Sequence, residues 1–144
     1  MKRFILFIIV FYVSFSFSVV YSQDEPLIVI AGSVNNENYE KLNGVKVEIK
    51  QDNQVFKSVI TNSKGKYDPI EIPYGHIYII SFSKNNFATK SILIDSKSGY
   101  FIEEQSTQPF AIPITLQTKQ PDVDYSVVSD QHVGKIRIID GNLA

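Results

Sequence analysis

Gly44-Val45-Lys46-Val47-Glu48-Ile49, then Thr61-Asn62-Ser63-Lys64-Gly65-Lys66-Tyr67, then Ile72-Pro73-Tyr74-Gly75-His76-Ile77-Tyr78-Ile79-Ile80-Ser81-Phe82 are the stretches that decide the fold. The first alternates apolar and polar residues. The second is a turn built of Asn, Ser and Gly, and the third opens a second long apolar run. Period-two runs cut by Gly, Asn, Ser and Pro are the mark of short antiparallel strands, so the segment 43–95 reads as part of an all-β, seven-stranded antiparallel sandwich.

Working outward, strands are expected at 27–34, 45–50, 55–61, 67–72, 77–83, 87–95 and 110–116. Pro69 marks the fourth as an edge or bulged strand, because proline has no N–H to give to a ladder. Gly65 is the natural residue for a left-handed turn position. No stretch holds a 3.6-residue apolar period, so little helix is expected. The inward faces supply a core of Val45, Val47, Ile49, Val59, Tyr67, Ile77, Ile79, Phe82, Ile92, Ile94, Ile112, Ile114 and Leu116. Side chains of this kind each contribute about 1.5–3 kcal/mol when fully buried.

At the N-terminus, Met1-Lys2-Arg3 precedes an apolar run that weakens into alternating Ser and Phe before Val20-Tyr21-Ser22. Positive charge, apolar centre and a small residue at the end make a secretory leader, 1–22, with cleavage expected before Gln23. Residues 23–118 then form the sandwich and 119–144 a C-terminal tail with an extra strand at 135–139. There is no cysteine, which excludes a disulfide framework, a thiolate metal site and a lipid-modified N-terminal cysteine. Loss of Lys2 and Arg3 reduces the 14 basic residues to 12 against 15 acidic ones. Such mild acidity argues against nucleic acid as a partner, since that needs a clustered basic face.

Three of these segments together resemble the carboxypeptidase regulatory-like, or prealbumin-like, domains of exported bacterial proteins. They are the Gly-Val-x-Val strand at Gly44 to Val47, the Thr-Asn-x-x-Gly-x-Tyr hairpin at Thr61 to Tyr67, and the Ile-Pro-x-Gly lead-in at Ile72 to Gly75. The resemblance covers 27–116. It implies a prealbumin-like or Ig-like sandwich in a Gram-negative type envelope, periplasmic or at the cell surface, and it names no reaction.

Catalytic constellations are thin. The transthyretin-like hydroxyisourate hydrolases use several histidines, an arginine and a terminal Tyr-Arg-Gly-Ser, whereas this chain has only His76, His132 and, after the leader, Arg137. No His-x-x-Glu zinc motif occurs, because Ile79 and Lys135 stand where the Glu would be. An intramolecular isopeptide bond lacks its first-strand lysine and last-strand asparagine. Asp122-x-Asp124 opens like a calcium loop without the glycine and closing Glu. The expectation is therefore a non-enzymatic exported module with a structural or protein-interaction role, without cofactor or metal, not membrane-spanning once mature, and docking on an envelope protein. The alternative is a small carbohydrate- or ligand-binding module. The candidate surface comprises the aromatic and loop residues Tyr39, Tyr74, His76 and Tyr78, joined in the weighing by Tyr100, together with Lys135, Ile136 and Ile138 of a last strand free to add to a partner sheet.

Overall fold

The computed structural model describes residues 26–97, 109–125, 132–139 and 142–143, and the expected leader lies outside them, as does Tyr100. Ten strands and no helix occur among the described residues: β1 (Leu27–Asn36), β2 (Lys46–Gln51), β3 (Gln54–Ile60), β4 (Lys66–Pro73), β5 (Ile77–Ser83), β6 (Lys90–Asp95), β7 (Phe110–Ala111), β8 (Ile114–Leu116), β9 (Gly134–Ile139) and β10 (Asn142–Leu143). One sheet is built on β1, with β4 on one side and β7 and β8 in succession on the other. The second sheet runs β10-β9-β6-β5-β2-β3. Their apolar faces share one core, and the molecule is a β-sandwich.

The segment expected as a hairpin, Thr61 to Tyr67, instead carries the chain from one sheet to the other, since β3 pairs with β2 and β4 with β1, and the punctuation of the sequence is explained at this turn. Thr61, 2 % exposed, donates its hydroxyl to the Leu42 carbonyl at 2.6 Å and accepts the Val45 N–H at 2.9 Å, fastening the turn to the start of β2. The Asn62 carboxamide oxygen accepts the N–H groups of Lys64 and Lys66, at 2.9 and 3.2 Å, so the side chain itself closes the turn. Gly65 has φ of 69°, and a Cβ there would lie 2.6 Å from the Val34 carbonyl oxygen. Tyr67 then enters the core. Each fixed residue of the motif thus has a local physical task.

Three expectations need correction. The sheets are mixed, because β7 and β8 run parallel to β1, and β9 runs parallel to β6. Alternation reports which face a side chain takes and carries no information on strand direction. The single last strand expected at 110–116 is two short ones, with Pro113 between them unable to donate to a ladder. In β5 the inward set is Tyr78, Ile80 and Phe82, all fully buried, while Ile77 is 40 % exposed and Ile79 half-buried. The expected core had mixed the two faces of that strand. Pro69, by contrast, sits in a strand with β1 as its sole partner among the described residues, as an edge position requires.

Candidate functional site

The tyrosines singled out in the sequence do not assemble. Tyr39, 82 % exposed with φ of 63°, follows the end of β1, whereas the Tyr74 N–H donates to Pro26 just before its start. Ten strand residues separate the two ends, about 30 Å at the usual rise. Tyr78 is a core residue, with its hydroxyl donating to the Pro73 carbonyl at 2.9 Å and its ring beside Phe56. Tyr74 packs against the core from the edge. A flat aromatic platform for a sugar is absent among the described residues.

His76 is held rather than poised. Its Nδ1 lies 3.1 Å from Gln51 Nε2, its backbone N–H donates to Ser96 Oγ at 3.1 Å, and its carbonyl accepts from the Ser96 hydroxyl at 2.7 Å. The ring meets Tyr78 edge-on at 6.1 Å. This network closes the turn between β4 and β5 over the fully buried Ser96. His132 is exposed in the described stretch before β9. No group of three His, Cys, Asp or Glu side chains is placed to hold a metal ion among the described residues.

The strand expected as a docking edge is spent on the fold. Ile138 is 1 % exposed in the core, Ile136 packs against that core, and Lys135 pairs with Asp95 at 3.2 Å. β9 is bonded to β6 on one side and β10 on the other, so it offers no open ladder. Among the described residues the open edge of the same sheet is β3, which pairs with β2 alone and exposes Val55, Phe56 and Ile60.

A different feature was missed by the sequence reading. At the end where β5 turns into β6, an open cleft of about 860 Å³ draws lysines from three distant stretches, Lys46, Lys84 and Lys119, around Phe87. The segment beyond β8 is tied down here as well. Thr118 donates its hydroxyl and its N–H to the Glu37 carboxylate, at 2.6 and 3.3 Å, and the Thr118 hydroxyl bond holds the Glu37 carboxyl below the usual carboxylate range. Lys46 lies beside Glu48, whose own acidity is strengthened first by the Lys46 hydrogen bond. The three lysines stand 38 and 35 positions apart along the chain, so no local motif marks the cluster.

The class defined so far is an all-β, two-sheet sandwich with a cationic cleft at one end. No family model and no curated protein sequence matches the chain. Among solved structures it is similar to chlorocatechol 1,2-dioxygenase from Pseudomonas putida, at 11 % identity and TM-score 0.45 over 69 % of this chain and 63 % of that one. It is also similar to a single-residue variant of catechol 1,2-dioxygenase from Acinetobacter radioresistens, at 13 % identity and TM-score 0.50 over 78 % of this chain and 59 % of the other. The chain spans less than two thirds of the length of either enzyme.

That likeness is one of fold, and it corrects the functional expectation. A sandwich of this kind is carried by enzymes, so the fold is no mark of a non-enzymatic envelope module. The structural or interaction role read from the sequence is withdrawn on that finding. The carbohydrate alternative is withdrawn with it, and the dispersal of its tyrosines removes its physical basis. Among the described residues no helix is long and apolar enough to cross a membrane.

Proposed function

We propose that this chain is an exported domain of the carboxypeptidase regulatory-like type, carried out of the cytoplasm by residues 1–22. The observation that carries the family reading is the placement of its three motif glycines. Gly44, Gly65 and Gly75 each stand at a strand junction with φ of 71°, 69° and 85°, a region L side chains rarely adopt. The glycines of the resemblance thus fall where backbone geometry requires them. Export is supported by the charged start and apolar run of the leader.

Expression of the whole chain in a Gram-negative host, followed by fractionation and N-terminal sequencing, tests this. The expected product begins at Gln23 and leaves with the periplasmic or extracellular fraction. An uncut chain retained in the cytosol refutes export. A mature product that begins at another residue within the leader keeps export and moves the boundary.

A further inference from the structure

The cleft at the β5–β6 end has the composition of an anion site. Lys46, Lys84 and Lys119 line it together with the neutral polar residues Asn85 and Asn86, and no carboxylate is among the lining residues. Glu48 touches Lys46 from outside and is shared with Lys50, so even that trio keeps a net positive charge. In a chain with a formal net charge of −1, this is a local reversal of sign.

The positions of the cations are set by the fold. Lys84 Nζ donates to the Asn43 carbonyl at 2.5 Å, which holds its charge at the rim. Lys119 is fixed through its backbone N–H, 2.8 Å from the Asn86 carbonyl, and its ammonium group stands 6.0 Å from the Tyr125 ring centroid. The connecting loop is closed on itself and on the segment after β8 by Phe87 N–H to Lys84 and Ala88 N–H to Gln117, at 3.1 and 2.8 Å. Charges held in place before a ligand arrives need less ordering on binding.

We propose that this cleft binds the phosphate group of an organic molecule, with the three lysines on the phosphate and the organic part along Phe87. Separate point-charge donors suit a tetrahedral dianion, whose several oxygens can each meet one ammonium group, better than a planar carboxylate with two. A volume of about 860 Å³ is far larger than a bare ion and leaves room for the body that carries it. The inference goes beyond the family reading and rests on the cleft alone, so it stands or falls separately from export.

The test is titration of the purified chain with phenyl phosphate, with benzoate and phenol as controls, followed by amide shifts in NMR and by calorimetry. Saturable binding is expected, with shifts confined to Lys84 to Thr89 and around Lys119, weakened at least tenfold by the double substitution Lys46→Gln and Lys119→Gln and by raised salt. The thermal melt of the double variant reports that it is folded, and Lys119→Arg should restore part of the affinity. Vesicles containing phosphatidylglycerol form the second arm. Cosedimentation that the same double variant abolishes assigns the phosphate to a lipid headgroup, and phenyl phosphate binding without it assigns a soluble phosphate. Benzoate binding as tightly as phenyl phosphate, binding unaltered in the double variant, or no binding in either arm overturns the proposal.

Discussion

The ammonium group of Lys135 lies 3.2 Å from the carboxylate of Asp95, across the parallel pair that β9 makes with β6. Asp95 is 6 % exposed while the Lys135 side chain is half in solvent, so the contact guides register more than it adds energy, at most about 1 kcal/mol. The attachment rests on Ile138 beneath it. Ile138→Ala should lower unfolding stability by about 2–4 kcal/mol and Lys135→Gln by less than about 1 kcal/mol, read from urea denaturation. Truncation after Gln120 should cost more than either. A truncated chain with an unchanged melting temperature would show that β9 contributes nothing to the core.

The sequence made the turns and the strand faces legible because their cause is local, although it read the turn at Thr61 to Tyr67 as a hairpin where the chain changes sheet. Asn62 and Gly65 close a turn within five residues, and Val45, Val47 and Ile49 alternate along one short strand, all fully buried as expected. It did not reveal the parallel pairs of β1 with β7 and β8, since these join stretches 80 residues apart and a strand's alternation is the same in either direction. Strand β5 was misread because nearly all its residues are apolar, which leaves periodicity no contrast to work with. The lysine cleft was invisible for the first reason: Lys46, Lys84 and Lys119 meet only after the chain has folded.

Thr61 ties two turns with one hydroxyl, donating to Leu42 and accepting from Val45. Thr61→Val keeps the shape and leaves a buried N–H and a buried carbonyl without that partner, at a cost of about 1–3 kcal/mol. Thr61→Ser should retain most of the stability. Equal stability of the valine variant would show that the hydroxyl is dispensable.

Gly32 has no room for a methyl group. A Cβ there would stand 2.2 Å from the Ile112 carbonyl oxygen and 2.8 Å from the Tyr67 hydroxyl. The backbone oxygen cannot swing away, so Gly32→Ala must push β1 from the Ile112 segment and should destabilise by about 1–3 kcal/mol or more, seen as a lower urea midpoint. A neutral outcome would mean that the two sheet segments separate freely.

The edge of β3 that is unpaired among the described residues carries Ile60 at 67 % exposure beside Val55 and Phe56. An apolar strand with an unpaired ladder side invites pairing with another chain. Ile60→Lys should reduce concentration-dependent aggregation in light scattering and leave the urea midpoint within about 0.5 kcal/mol. Unchanged scattering would place the sticky surface elsewhere.

Tyr67 is 4 % exposed, and its hydroxyl has no hydrogen-bond partner among the described residues. Its ring packs at 6.1 Å from that of Phe82, so the apolar part of the side chain has its place and the oxygen adds only a desolvation cost. Tyr67→Phe should therefore be neutral or stabilising by up to about 1 kcal/mol near pH 7. Burial also pushes the phenol well above its ordinary value of 10.0. The unfolded chain then loses this proton near pH 10 while the folded one keeps it, so the unfolded state binds fewer protons and stability falls as pH rises past that value. The phenylalanine variant has no such proton to lose. Its advantage over the parent should be small at about pH 8 and should widen at about pH 11, in paired urea titrations. A difference that stays constant with pH would mean that the phenol ionises as readily in the fold as outside it, and a clear loss of stability in the phenylalanine variant would mean that the oxygen is hydrogen-bonded after all.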